Sequence, residues 1–171
     1  MNSNLPMEIE RKYIILKPSE ELIHQFEQCQ RSYIFQAYLK PEKNAPCRRV
    51  RKRGTDNEGF KYYYTEKTDV SFGERIEIER EISEQEFLTL LNEKDESREP
   101  IEKERICFKY FSQLFELDIY PFSEKYATLE IELDDINQSV TLPDFLECVK
   151  DVTGDNSYSN YQLAKKRKIE I

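Results

Sequence analysis

Charged side chains recur at every second position near the start of the chain, in the stretch MEIERKYII, residues 7–15. If this stretch is a β-strand, Glu8, Glu10 and Lys12 share one face, because successive side chains point to opposite sides of a strand. Two interpretations are open. Antiparallel sheets commonly expose one face to water, so the charges can be solvated, or they can meet a common ligand.

Other strand-like stretches repeat this pattern with acidic residues only. The stretches ERIEIEREI, FELDIY and TLEIELDD place carboxylates on one face and apolar residues on the other, at Glu77, Glu79, Glu116, Asp118, Glu130 and Glu132. Carboxylates two residues apart lie within about 7 Å of each other. Like charges at this distance are unfavourable unless a cation is near, so these strands predict a bound cation.

Basic residues occupy separate stretches with the same spacing. RRVRKRG, FKYYYTEK and EKERICF bring cations into register at Arg49, Arg51, Arg53, Lys61, Lys67, Lys103 and Arg105. Crowded cations call for a polyanion, and the planar fork of arginine suits phosphate oxygens. The alternative is ion pairing between the basic and acidic strands, which carries a desolvation penalty for each buried pair.

The spacing of apolar residues and turn residues predicts an α+β fold. Eight strands are expected, at residues 7–16, 31–39, 47–53, 60–68, 74–82, 101–110, 113–120 and 126–134. Four helices are expected: residues 20–30 after Ser19, the segment after the Ser83–Glu86 capping box, a helix between Pro143 and Gly154, and a short last one in SNYQLAKKRK. An eight-stranded antiparallel barrel accommodates these strands, with the ionic faces lining its lumen and the apolar faces covered by helices.

Composition limits the function classes. The 171 residues suit a single domain spanning residues 1–171, and the formal charge of −8 argues against a nucleic-acid surface. No apolar run is long enough to cross a bilayer and the first residues do not resemble a secretory signal, so a cytoplasmic protein without a membrane partner is expected. Four scattered cysteines and one histidine argue against a zinc site.

The ordered motifs resemble the CYTH superfamily, the triphosphate tunnel metalloenzymes. EIERK is similar to the family's Glu-x-Glu-x-Lys signature, and the later pieces follow in family order: RVR, TEK, RIEIE, EKERI, ELDIY, LEIEL and VTGDNSYSNYQLA. The resemblance spans nearly the whole chain and implies an eight-stranded antiparallel tunnel. Two features depart from the family pattern, the third in-register arginine Arg53 and the charged loop at residues 92–100, and they leave the substrate length and the tunnel mouth open.

The resemblance also implies roles for the charged residues. The triphosphate would be bound by Lys12, Arg49, Arg51, Lys67, Lys103 and Arg105. A divalent metal would be held, directly or through water, by Glu8, Glu10, Glu77, Glu79, Asp118, Glu130 and Glu132. Catalysis would centre on Glu8, Glu10, Lys12, Arg51 and Lys67. Oxygen ligands favour Mg²⁺ or Mn²⁺ over zinc.

The expected activity is metal-dependent hydrolysis of a small-molecule triphosphate, with inorganic tripolyphosphate converted to diphosphate and phosphate. Relatives in the family leave class IV adenylyl cyclase and thiamine triphosphatase as alternatives, and a non-catalytic polyphosphate-binding module is a third. No purine pocket is identifiable in the sequence. A homodimer is left open.

Overall fold

The computed structural model describes residues 6–171. Its strands are β1 (Met7–Leu16), β2 (Gln30–Tyr38), β3 (Cys47–Thr55), β4 (Gly59–Ser71), β5 (Glu74–Ile82), β6 (Ile101–Tyr110), β7 (Gln113–Ile119), β8 (Tyr126–Glu132) and β9 (Cys148–Asp151). Its α-helices are α1 (Glu20–Ile23), α2 (Glu84–Leu91) and α3 (Asn160–Lys166), with a 3-10 turn at Asn156–Tyr158. The prediction of one domain over residues 1–171 stays a prediction, and its first five residues lie outside the described part.

Eight of the strands close into an antiparallel barrel. They follow one another in the order β5-β4-β3-β2-β6-β7-β8-β1. The first residues of β1, Met7–Ile9, then pair with Glu74–Ile76 of β5 and close the ring. The predicted α+β barrel is therefore confirmed.

The strand register decides which residues enter the lumen. Directly opposite residues in an antiparallel pair share a face, and Lys67 lies opposite Glu77 while Lys12 lies opposite Glu130. The intervening apolar residues point outward into the hydrophobic core, which includes Leu117 and Ile131. A shift of one residue in any of these pairings would exchange the two faces.

The helices cover parts of the outer surface and one end of the barrel. Ile23 of α1 packs on the outer core over β6 and β7, and Phe87 of α2 packs against Val50 of β3. Leu163 of α3 packs with the inward-facing Ile14 at one end. None of the helices in residues 6–171 is long and apolar enough to cross a membrane.

Two expectations about the outside of the barrel are wrong. Ile78 points outward as expected but is 47% exposed, because no helix covers β5 at that point. The first helix ends at Ile23 instead of continuing to residue 30, and turns connect it to β2.

The prediction of a helix between Pro143 and Gly154 is also wrong. This segment contains β9, which pairs with Tyr13–Ile15 of β1. Strand β5 pairs only with Met7–Ile9 of β1. The backbone N–H and C=O groups on the same edge of β1 beyond Ile9 therefore need another hydrogen-bond partner. β9 supplies it, and this tertiary requirement overrides the helix-like spacing of Phe145, Val149 and Val152.

The outward packing of Leu117 predicts a large effect on stability. Its side chain is fully buried in the outer core, so Leu117→Ala should lower the free energy of unfolding by about 2–5 kcal/mol. Leu114→Ala on the same strand is the control, because Leu114 is 52% exposed and should cost much less. Urea denaturation of both variants checks this, and equal losses would contradict the assigned faces.

Candidate active site

The barrel lumen contains a cavity of about 540 Å³. All but two of the predicted site residues line it, namely Glu8, Glu10, Lys12, Arg49, Arg51, Lys67, Glu77, Glu79, Arg105, Glu130 and Glu132. The loop from Pro41 to Pro46 and the first turn of α3, with Ser159 and Asn160, contribute to the same lining. The other two predicted residues, Lys103 and Asp118, do not line the cavity and are fully buried.

The basic wall consists of β3 and β4. Arg49 Nη2 lies 3.5 Å from Glu77 Oε1, and Arg51 Nη1 lies 3.8 Å from Glu79 Oε2. Burial, and next the neighbouring Arg49 guanidinium, lower the pKa of Arg51 to about 10. The positive charge of Arg51 is therefore poorly compensated by the protein, and an anion in the cavity would stabilise it.

Arg105 is held in a fixed orientation by carboxylates on β7 and β8. Its Nε and Nη2 each donate a hydrogen bond to Asp118, to Oδ1 and Oδ2, both at 2.7 Å, and Nη1 donates to Glu116. Nη2 also lies 3.3 Å from Glu130. This bidentate geometry orients the guanidinium towards the cavity.

Lys103 and Asp118 form a fully buried ion pair below the cavity lining. Burial, and next the Arg105 guanidinium, lower the pKa of Lys103 to about 7. The pKa of Asp118 is lowered by Arg105 and Lys103 even though burial opposes this shift. Asp118 contacts both Lys103 and Arg105, so it can position the Arg105 guanidinium without itself lining the cavity.

The acidic wall lies on β1, β8 and β5. Burial, and next Glu130, raise the pKa of Glu10, although Arg75 Nη2 lies 3.0 Å from its Oε1. Burial, and next Glu116, raise the pKa of Glu132. Among residues 6–171, Glu132 has no cationic side chain within 4 Å. Ionised carboxylates at this wall therefore favour a cation beside them.

Lys12 places a cation within the acidic wall. Its Nζ lies 2.7 Å from Glu130 Oε1, and this pair raises the pKa of Lys12 against the effect of burial. The backbone of Lys12 is fixed on both sides, because its N–H donates to Thr153 Oγ1 and its carbonyl accepts from Val152. The Lys12 ammonium group is thus held beside the Glu130 carboxylate in the lining of the cavity.

The donor chemistry of the acidic wall fits a hard divalent cation, although the ligands are not preassembled. Carboxylate oxygens are the ligands that Mg²⁺ and Mn²⁺ prefer. Burial and neighbouring carboxylates raise the pKa values of Glu10 and Glu132, so a cation beside them would favour their ionised forms. Yet no group of three such side chains within residues 6–171 is placed to hold a metal ion. The ion pairs of Glu8 with Lys67 and of Glu10 with Arg75 occupy that place, so metal binding requires them to open.

The sequence left open that the basic and acidic strands form ion pairs with each other instead of binding ligands. Such ion pairs are present in part of the lumen. They account for Lys12, Lys67 and Arg105, each of which has a carboxylate within 3 Å. They do not account for the weakly compensated Arg51 or for Glu132. Lumen charges are therefore only partly matched within the protein.

The ligand sets implied by the family resemblance leave out Arg75 and Glu116, which also line this cavity, although the strand pattern placed Glu116 among the carboxylates that predict a bound cation. Arg75 approaches both Glu8 and Glu10, while Glu116 pairs with Arg105. Arg75 lies two residues before Glu77, and Glu116 lies two residues before Asp118, so each shares a strand face with a residue that was assigned to the site. The alternation of side chains along a strand is therefore enough to predict that both point into the lumen.

Comparison with solved structures finds proteins with a similar fold. No protein-family model matches the chain, and no curated protein matches it. Two crystal structures of the protein NE1496, one of them described as an inorganic triphosphatase, are 28% and 27% identical to it. They superpose with TM-scores of 0.59 and 0.58, covering 92% of this chain and 97% and 94% of theirs.

The chain shares with these two structures the fold of a closed antiparallel β-barrel that forms a tunnel. This confirms the family resemblance predicted from the ordered motifs. Two more distant structures share only the fold: the PH1819 protein from Pyrococcus horikoshii OT3, at 18% identity and a TM-score of 0.54, and the Mediator head module of Schizosaccharomyces pombe, at 10% and 0.52. They cover 74% and 78% of this chain, and 79% and 86% of their own chains. Since one tunnel fold serves such different proteins, function must be argued from the charged lining.

The raised pKa of Glu132 predicts a pH-dependent effect on stability. Because its pKa is higher in the folded than in the unfolded protein, ionised Glu132 destabilises the tunnel, and this penalty grows as pH rises through the folded pKa. Glu132→Gln should therefore raise the melting temperature of the metal-free protein at pH 7, and the gain should vanish below about pH 4. Glu147→Gln, at an exposed residue, is the control. A loss of stability at pH 7 in Glu132→Gln would contradict the assigned environment.

Proposed function

We propose that this protein is a metal-dependent triphosphatase that hydrolyses inorganic tripolyphosphate to diphosphate and phosphate. The observation that carries the proposal is one cavity in the barrel lumen whose lining combines a basic wall, including Arg49, Arg51 and Lys67, with carboxylates that include Glu10 and Glu132. The inorganic triphosphatase NE1496, at 27% identity over 92% of this chain, supports the same activity class.

The basic wall would bind the phosphate chain. Arg49 and Arg51 alternate along β3, about 7 Å apart at their backbones, and Arg105 reaches the same cavity from β6. Phosphate oxygens would replace the long contacts of Arg51 with Glu79 by charge-assisted hydrogen bonds. Binding would thus supply the compensation that lowers the energy of this buried guanidinium.

The acidic wall would hold the metal. Glu8, Glu10 and Glu132 offer carboxylate oxygens, and Glu77, Glu79 and Glu130 lie within the same lining. A bound Mg²⁺ or Mn²⁺ would polarise phosphate oxygens and lower the pKa of a bound water. Arg75 and Lys67, released from these carboxylates, would become free to contact phosphate.

The side chains of this protein would then orient the substrate and stabilise charge. In hydrolysis, the oxygen of water forms a bond to the terminal phosphorus while the bond from that phosphorus to the leaving diphosphate breaks, and the protons of water pass to the product oxygens. Arg51, Lys12 and Arg105, which line the cavity, would stabilise negative charge on the transferred group and on the leaving diphosphate. Asp118 keeps Arg105 in place through two hydrogen bonds.

The cavity mouth favours an inorganic substrate over a nucleotide. A purine requires a free aromatic face or an apolar slot. Tyr38 and Tyr161 are aromatic side chains in the cavity lining and contact each other edge to face, and the guanidinium of Arg98 already lies 3.5 Å from the centre of the Tyr161 ring. A stacked base would have to displace Arg98 from this face.

The experiment that tests the proposed function is a substrate panel. Purified protein is incubated with tripolyphosphate, ATP, thiamine triphosphate or diphosphate, each with Mg²⁺ and with Mn²⁺, and the products are identified. Metal-dependent release of phosphate and diphosphate from tripolyphosphate is expected. Formation of cyclic AMP from ATP would instead support the cyclase, and tight binding of tripolyphosphate without turnover would support a non-catalytic binding module.

A pair of variants on β3 tests the placement of the substrate. Arg51→Ala should lower kcat/KM for tripolyphosphate by about 100-fold or more, because the side chain would stabilise charge in the transition state. Arg53 lies two residues farther along the same face of β3, and Arg53→Ala should lower kcat/KM for tripolyphosphate much less. Equal losses in steady-state kinetics would mean that the phosphate chain does not lie where the register places it.

A further inference from the structure

One edge of β1 has a gap in its strand pairing at the residues that carry the site. Within residues 6–171, β5 pairs with Met7–Ile9 on this edge and β9 pairs with Tyr13–Ile15. Glu10 and Lys12 lie between these two pairings. Their backbone N–H groups therefore need hydrogen-bond partners that a neighbouring strand does not supply.

Groups outside the strands supply these partners. The Glu10 N–H donates to the carbonyl of Gly73 at 3.1 Å, in the turn between β4 and β5. The Lys12 N–H donates to Thr153 Oγ1 at 3.0 Å, and the Lys12 carbonyl accepts from the Val152 N–H at 2.9 Å. The two residues that directly follow β9 thus hold both backbone polar groups of Lys12.

Thr153 has a well-defined position of its own. It is buried, and its backbone N–H donates to Asp151 Oδ1 at 2.9 Å. Its methyl group lies beside Gly73, where an added Cβ would approach it to 3.3 Å. The two branches of the side chain therefore have separate contacts, the hydroxyl group with Lys12 and the methyl group with the turn between β4 and β5.

The place of the Lys12 backbone affects its ammonium group because the whole residue is enclosed. Lys12 is buried, its Nζ lies 2.7 Å from Glu130 Oε1, and on the other edge of β1 it lies directly opposite Glu130 of β8. A buried Lys12 N–H without an acceptor would carry a desolvation cost. Movement of β1 would relieve this cost and would take the ammonium group away from its place beside Glu130.

We propose that Thr153 is a positioning residue, whose hydroxyl group keeps the Lys12 ammonium group where it stabilises negative charge on the transferred phosphate. This inference rests on the proposed function, in which Lys12 has that role. Thr153 does not line the cavity, whereas Lys12 does, so Thr153 acts through Lys12 and not on the substrate. The proposal gives a role to the threonine of the stretch VTGD, residues 152–155.

The test uses two substitutions that separate the hydroxyl group of Thr153 from its methyl group. Thr153→Val keeps the shape and the methyl contact but removes the acceptor, whereas Thr153→Ser keeps the acceptor and removes the methyl group. With tripolyphosphate and Mg²⁺, Thr153→Val should lower kcat about tenfold and change KM less, because a misplaced Lys12 stabilises the transition state less well. Thr153→Ser should keep kcat within about threefold of the wild type.

Two controls show whether the effect passes through Lys12. Thr55 Oγ1 also accepts from a backbone N–H, that of Glu58 at 3.1 Å, but Thr55 does not line the cavity, so Thr55→Val should leave kcat unchanged. Lys12→Met removes the ammonium group that Thr153 would position. Adding Thr153→Val to Lys12→Met should therefore change kcat by less than about twofold, because both substitutions remove the same interaction.

The ion pair between Lys12 and Glu130 provides a second readout that needs no turnover. Its coupling free energy is measured by urea unfolding of Lys12→Met, Glu130→Gln and the double variant, with and without Thr153→Val. Thr153→Val should reduce this coupling to less than about half. If the wild type does not turn over tripolyphosphate, the proposed function fails, and the coupling still decides on Thr153.

Several results would overturn the positioning role of Thr153. An unchanged kcat in Thr153→Val would do so, as would equal losses of kcat in Thr153→Val and Thr153→Ser. A full further loss when Thr153→Val is added to Lys12→Met would show that Thr153 acts by another route. An unchanged coupling between Lys12 and Glu130 in Thr153→Val would show that the hydroxyl group does not hold the ammonium group in place.

Discussion

Enclosure of opposite charges in one barrel lumen is the constraint on which the rest of this structure depends. Each buried ion loses hydration, and ion pairing returns only part of that loss. The outward-facing apolar residues, with Leu117 and Ile131 in the largest cluster, must therefore stabilise the barrel from outside. The largest apolar cluster lies outside the barrel, a second cluster with the inward-facing Ile14 fills one end of it, and the rest of the lumen is left for charged groups.

The pairing inside the lumen has a direct consequence for ligand binding. Lys67 contacts Glu8 and Glu77, and Arg75 contacts Glu8 and Glu10. A metal would take the carboxylates from these pairs, and a phosphate chain would take the cations. Each ligand would therefore free the side chain that the other one needs, and the two binding events would be coupled through these shared side chains.

Much of the barrel could be predicted from the sequence because one face of each strand is apolar and the other ionic. That alternation identified eight strands and the lining residues, including Glu10 and Arg51. It could not locate β9, since the need for it arises from an edge of β1 that β5 leaves uncovered. Nor could it show that Lys103 lies below the lining, because depth along the barrel axis is not encoded in the alternation.

The most direct test of the central claim is a thermal melt of the protein with tripolyphosphate, with Mg²⁺, and with both together. A ligand that binds the native state stabilises it by mass action. If both walls serve one site, the two ligands together should raise the melting temperature by clearly more than the sum of their separate shifts. Additive or equally small shifts for all three conditions would contradict a shared site in the tunnel.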